Sequence, residues 1–280
     1  MTRQHADLGG RRMSWLQTGQ GRPVVLLHAF PLGAEMWRPQ LEAVPHGWML
    51  IAPDLPGFGD SRPEPAQSGP ARPDPAAPAT SVDDHADAVL ALMRHLNIEQ
   101  AVIGGLSMGG YVTFAIHRKA SQRFSAMVLA DTRADADTAE VRATREKMQA
   151  AVRAQGASAA ADAMVPKLIG ARASDPARSA PVRDLILRNE PRGILEAIDA
   201  LKARPDSTPT LARITCPTLV IVGEEDEVTP IPLSETIARQ VPHAELVVIP
   251  AAAHLSNAEQ PQAFNRALWT FLDRLSTEHR

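Results

Sequence analysis

Apolar and polar positions follow two rhythms along this chain. Short, unbroken apolar runs recur at Pro23-Val24-Val25-Leu26-Leu27-His28, Trp48-Met49-Leu50-Ile51-Ala52, 100–106, Ala126-Met127-Val128-Leu129-Ala130, Thr218-Leu219-Val220-Ile221-Val222 and Leu246-Val247-Val248-Ile249. They are too short for helices and rich in β-branched residues, which predicts strands covered on both faces. Arg12-Met13-Ser14-Trp15-Leu16-Gln17 predicts an edge strand. Between the runs the spacing turns helical. Ser81 and Asp84 are placed as a capping box, and Val82, Val89, Leu92, Met93 and Leu96 fall largely on one side of the helix that follows. A last helix is predicted over 260–275. Strands alternating with helices predict a mostly parallel sheet flanked by helices. In such sheets functional groups gather beyond the carboxyl ends of the strands.

Two segments interrupt the alternation. Positions 62–80 are rich in proline and alanine without periodicity and read as an extended surface loop. Positions 134–212 contain no strand pattern and read as several helices, clearest over 141–152 and 182–201. Lying between two core strands, they predict a helical cap over the carboxyl edge of the sheet. The expected division is a core of 1–133 with 213–280, and a cap of 134–212. No internal repeat is visible.

Composition narrows the function classes. A net charge of −3 on 280 residues carries no signature of a nucleic-acid or acidic-membrane partner. Cys216 is the single cysteine, so an intramolecular disulfide is excluded, and its place before a strand suits a small buried filler. The N-terminal residues lack an apolar signal core and no run has the length of a membrane span, so a soluble cytoplasmic protein is expected. His5, His46, His85, His95, His117, His243 and His279 show no metal-binding spacing.

The chemistry concentrates at strand ends. Gly104-Gly105-Leu106-Ser107-Met108-Gly109-Gly110 follows a strand and opens a helix. A serine between glycines at such a turn presents a strained, exposed nucleophile. Gly-x-Ser-x-Gly alone is moderately specific; the flanking strand and helix give it weight. Asp226 follows the 218–222 run and His254 follows the 246–249 run, completing the order Ser…Asp…His. A serine hydroxyl needs a base, a neutral imidazole suits that task near neutral pH, and a carboxylate fixes the imidazole's tautomer. Glu224, Glu225 and Glu227 rival Asp226, and Asp131, also at a strand end, is an alternative carboxylate. Backbone N–H groups must receive the oxyanion: Met108, where the helix dipole also helps, and Phe30 on the loop after the first buried strand. His28 reads as a buried histidine that bonds backbone and shapes that loop.

With these residues in view, the chain resembles the α/β-hydrolase superfamily over nearly its whole length. The matching segments are His28-Ala29-Phe30-Pro31, Asp54-Leu55-Pro56-Gly57-Phe58-Gly59-Asp60-Ser61, Gly105-Leu106-Ser107-Met108-Gly109-Gly110, 223–230 with Asp226, and His254-Leu255-Ser256-Asn257-Ala258-Glu259-Gln260-Pro261. Within it the chain is most similar to bacterial carboxylesterases related to 3-oxoadipate enol-lactonases, through Leu129-Ala130-Asp131-Thr132-Arg133-Ala134 and Arg204-Pro205-Asp206-Ser207-Thr208. The resemblance implies an α/β-hydrolase fold with the cap inserted after the sixth strand, a Ser107–His254–Asp226 triad, no cofactor and no metal. It also implies a small acyl pocket, for which Phe30, Leu32, Met108, Met164, Leu168 and Leu255 are candidate lining. The family usually has glycine where this chain has Ala29; a positive φ there would strain the alanine.

The expected activity is hydrolysis of small, short-acyl carboxylic esters through an acyl-enzyme. Three alternatives stand beside it. An enol-lactonase acting on an anionic lactone would need a cation such as Arg133, unless Asp131 or Asp135 pairs with it. A perhydrolase or cofactor-free haloperoxidase would use the same triad with peroxide in place of water. A non-catalytic ligand-binding protein on the same fold is the alternative from another class. A homodimer is a candidate assembly.

Overall fold

In the computed structural model, which describes residues 1–62 and 81–277, the apolar runs become the inner strands of one sheet. The strands are β1 (Thr2–Asp7), β2 (Arg12–Gly19), β3 (Gly21–Leu27), β4 (Gly47–Asp54), β5 (Ala101–Leu106), β6 (Phe124–Ala130), β7 (Thr218–Gly223) and β8 (Ala244–Ile249). Their spatial order is β1-β2-β4-β3-β5-β6-β7-β8. β2 runs antiparallel to its neighbours β1 and β4, and all pairings from β4 to β8 are parallel. Every residue of β5 and β7 is buried, as two covered faces require.

The helices are α1 (Arg38–Leu41), α2 (Val82–His95), α3 (Met108–Ala120), α4 (Ala139–Gln155), α5 (Ala157–Ile169), α6 (Pro176–Leu187), α7 (Pro191–Ala203), α8 (Ile231–Gln240), α9 (Ser256–Glu259) and α10 (Pro261–Thr277). Ser81 caps α2 as its spacing predicts: it accepts from the Asp84 N–H at 3.1 Å and donates to the Asp84 carboxylate at 2.8 Å. α3 packs against β3, β5 and β6, so the turn carrying Ser107 sits over the middle of the sheet.

Two expectations change. Arg12–Gly19 is not the edge, because β1 pairs outside it from Thr2↔Gln17 to Asp7↔Arg12. β1 is largely exposed on both faces and has no apolar rhythm to announce it; backbone pairing and Arg3 hold it instead. The Arg3 guanidinium reaches Asp54 at 2.6 Å and Ser14 and Glu35 at 2.9 Å. The predicted helix over 182–201 is two helices, α6 and α7, broken at Arg188-Asn189-Glu190. Glu190 precedes Pro191 and is extended, with φ −72° and ψ 144°, since a residue before proline is pushed out of the helical region. α5 lacked a clear sequence signal and carries Pro166 inside it. The 62–80 loop reading falls, beyond Arg62, outside the described residues.

The four helices between β6 and β7 pack on one another and reach back to the strand ends, at Leu168 and Asn189 among others. Leu168 of α5 accepts the Leu255 N–H at 3.0 Å. Asn189, in the α6–α7 break, donates to Pro31 O at 2.8 Å and Leu32 O at 3.2 Å, and accepts the Gly59 N–H at 2.8 Å.

Candidate active site

Ser107 ends β5 and precedes α3 with φ 55° and ψ −112°, a conformation that L-residues rarely adopt. Neither flanking motif glycine is at positive φ; close packing explains them instead. A Cβ on Gly105 would lie 2.4 Å from the Gly109 carbonyl carbon, and one on Gly109 would lie 2.1 Å from Leu27 O. The start of α3 thus lies directly against β3 and β5. The turn is fixed by its backbone: Ser107 N–H donates to Ala130 O at 2.9 Å, and Ser107 O accepts from Gly110 N–H and from the Thr132 hydroxyl, both at 2.9 Å.

Asp226 and His254 meet beyond β7 and β8. His254 Nδ1 lies 2.8 Å from Asp226 Oδ2, with both side chains almost fully buried. The carboxylate also accepts Val228 N–H at 2.8 Å, Thr229 N–H at 3.0 Å and the Thr229 hydroxyl at 2.6 Å. Burial alone would favour the neutral acid, but the charge and hydrogen bond of His254, with the Thr229 donors, hold Asp226 below the usual carboxylate range. Burial would likewise depress His254, and Asp226 outweighs it, so the imidazole is more basic than usual. An Nδ1–H directed at Asp226 leaves Nε2 as the free base.

Three of the four rival acids are engaged elsewhere. Glu224 accepts the Ala251 N–H at 3.1 Å and Glu225 pairs with Arg172 at 2.8 Å. Asp131 accepts the Gly223 N–H at 2.8 Å and the Ser256 hydroxyl, not the imidazole.

His28 is wholly buried, as expected. Its Nε2 accepts the Leu55 N–H at 2.9 Å, so Nδ1 carries the proton and donates to Ala29 O at 3.0 Å. Burial lowers its pKa, keeping the ring neutral. Ala29 is not among the positive-φ residues, so the strain expected of an alanine there does not arise. Phe30 stands on this loop, edge-on to Phe58 with ring centroids 6.5 Å apart, and Met108 is the first residue of α3, where N–H groups lack intrahelical acceptors.

Phe30, Leu32, Met164, Leu168 and Leu255 are all buried, and the Leu255–Leu168 backbone bond joins two of them. Arg133 is paired with Asp135 through two hydrogen bonds, so it is no free cation at the strand end. Cys216 is only partly buried, and burial pushes its thiol up to about 11, which leaves it inert. Among the described residues no group of three or more His, Cys, Asp or Glu is arranged to hold a metal ion. Within the same residues no helix is long and apolar enough to cross a membrane.

Sequence reasoning missed four residues around the site: Thr132, Arg172, Asn189 and Thr229. Thr229 had a local signal, three positions after an aspartate in a turn. Arg172 and Asn189 bind partners far along the chain and had none.

Comparison with known proteins identifies the fold family. Residues 22–261 match the family described as alpha/beta hydrolase fold. The chain superimposes on an esterase from Thermogutta terrifontis, solved with malate bound, with a TM-score of 0.88 and 35% identity, over 97% of this chain and 99% of that one. The enol-lactonase from Burkholderia xenovorans LB400 matches with a TM-score of 0.83 and 27% identity, over 96% of this chain and 100% of the other. In sequence the chain is 30% identical to 3-oxoadipate enol-lactonase 2 of Acinetobacter baylyi across 94% of each protein. The eight-stranded, mostly parallel sheet, the turn at Ser107 and these likenesses make the chain a member of the α/β-hydrolase family.

Proposed function

We propose that this protein is a serine carboxylic-ester hydrolase acting on small, short-acyl esters through an acyl-enzyme, with Ser107, His254 and Asp226 as its triad. The observation that carries the reading is the buried His254–Asp226 couple at the exits of β7 and β8, in the same sheet whose β5 ends in the strained Ser107. His254 Nε2 takes the Ser107 proton as Oγ attacks the ester carbonyl. Asp226 holds the tautomer and stabilises the imidazolium. The Phe30 and Met108 N–H groups receive the oxyanion, each worth about 3 kcal/mol in the transition state. His254 returns its proton to the leaving alcohol, and then activates water to release the acid. Residues 134–212 serve as the cap, and Phe30, Leu32, Met164, Leu168 and Leu255 shape the acyl pocket.

The test is hydrolysis of p-nitrophenyl esters from acetate to dodecanoate by wild type and Ser107→Ala. Turnover fastest on short acyl chains, lost in Ser107→Ala, is expected. Because Asp226 raises His254, the acid limb of kcat/KM should lie above pH 6.5. Folded protein inactive on every ester would overturn the reading.

The enol-lactonase relatives favour a second reading, hydrolysis of an anionic lactone. It predicts turnover of such a lactone that collapses in Arg133→Ala while simple esters are spared. The bonds from Arg133 to Asp135 weigh against it.

A further inference from the structure

Asp131 is singled out along the sequence as an alternative carboxylate, and the triad leaves it unused. It is fully buried, at positive φ (43°), and among the described residues its carboxyl makes no ion pair with a lysine or arginine. Each of these features is costly, and an apolar residue would avoid two of them. What the position gains is reach. Asp131 Oδ1 accepts the N–H of Gly223, the last residue of β7, three positions before Asp226. Its Oδ2 shares a hydrogen bond with the hydroxyl of Ser256, two positions after His254. The next residue, Thr132, donates its hydroxyl to the carbonyl of Ser107 at 2.9 Å. Asp131 N–H continues the ladder to Ile221 O at 2.8 Å, anchoring the turn between β6 and β7.

We propose that Asp131 and Thr132 are the positioning residues of this site: one turn at the exit of β6 grips the carriers of serine, carboxylate and histidine and holds them in mutual register. The proposal rests on the Ser107–His254–Asp226 reading. A charged Asp131 would crowd Asp226 in a buried pocket, where two carboxylates cannot both ionise cheaply. Burial, with Asp226 adding to it, accordingly pushes the Asp131 carboxyl up to about 8. The groups facing His254 are then Asp226 and Thr229 from the β7 turn, Asp131 from β6, and Glu259 from α9, whose charge Arg172 meets at 3.3 Å. Only Asp226 among the acids is bonded to the imidazole.

The experiment measures covalent labelling of Ser107 by a fluorophosphonate, in which Oγ displaces fluoride from phosphorus and His254 takes the proton. The rate is followed from pH 5 to 9. Asp131→Ala should label about 100-fold more slowly, the scale of a misplacement near 1 Å. Its acid limb should fall towards pH 6.5 as His254 loses register with Asp226. Asp131→Asn, whose amide accepts from Gly223 and donates to Ser256, should stay within about threefold of wild type with its acid limb unmoved, because no charge has been removed. Thr132→Val deletes one hydrogen bond at constant shape and should slow labelling about fivefold; it carries the test if Asp131→Ala does not fold. Asp131→Ala labelling at the wild-type rate with an unmoved acid limb overturns the proposal. So does Asp131→Asn behaving like Asp131→Ala, since the carboxyl would then act through its charge. Wild type that is folded but unlabelled at Ser107 fails in its own arm, and removes the nucleophile reading and the brace together.

Discussion

The three buried ionisable groups at the exits of β6, β7 and β8 pull stability in different directions. His254 is raised, so its contribution is complete below about pH 6.5 and is lost as pH climbs through its folded value. Asp226 is lowered, so its contribution is complete above 3.8 and is lost as pH falls through its folded value. The couple therefore stabilises the fold most fully between those limits. Asp131 has the opposite sign. Unfolded it titrates near 3.8, and folded near 8. Between the two, the native state keeps a proton that the unfolded chain has lost, so each step up in pH favours unfolding. Asparagine carries no such proton. Asp131→Asn should match wild type in Tm near pH 4 and gain on it steadily, reaching about 10 °C by pH 8 and levelling off above 9. Calorimetry from pH 4 to 9 decides it: a Tm difference that ignores pH would mean that Asp131 is charged in the fold.

Asn189 shows what an element boundary can do. Spacing from Val182 to Leu201 keeps one helical rhythm across the break, so the sequence reads as a single helix. The break exists because Pro191 forces Glu190 out of the helical region, and it leaves Asn189 beside the loop that carries Phe30. Asn189→Ala would leave the Pro31 and Leu32 carbonyls and the Gly59 N–H buried and unpaired, a loss of about 2–3 kcal/mol. Esterase kcat/KM should fall about tenfold with it, because the loop holding the Phe30 N–H loosens. Urea denaturation and ester kinetics on the same variant check both; stability lost at full activity would show that the loop keeps its shape unaided. The inner strands were legible because two covered faces demand unbroken apolar runs, and Ser107, Asp226 and His254 were legible because each follows such a run. β1 was hidden, since a strand exposed on both faces needs no apolar pattern. Asn189 was hidden for another reason: its carbonyl partners lie up to 158 positions away, and no local spacing encodes that.

At the scale of the whole molecule, two of the attachments that fasten the helices between β6 and β7 to the sheet differ in their physics. On one flank Asn189 makes neutral, mostly buried hydrogen bonds to the loop after β3 and to Gly59. On the other, Arg172 in the turn after α5 binds Glu225 at 2.8 Å, lies 3.3 Å from Glu259 and donates to the Ala251 carbonyl. That second attachment spans the turns carrying Asp226 and His254. Its Glu225 partner is 46% exposed, so the pair contributes little at rest and is screened by salt. The neutral attachment has no such sensitivity. Raising sodium chloride from about 0.01 to 1 M, where the screening length shrinks from ~30 to ~3 Å, should therefore speed amide hydrogen exchange in 170–174 and 224–226 and leave 188–190 and 30–33 unchanged. Arg172→Ala at low salt should reproduce the high-salt pattern and abolish further salt dependence. Equal acceleration on both flanks would mean that the helices move as one body hinged elsewhere. Localised acceleration would mean that the helices lift from the Asp226–His254 side while Asn189 keeps the loop after β3 in place.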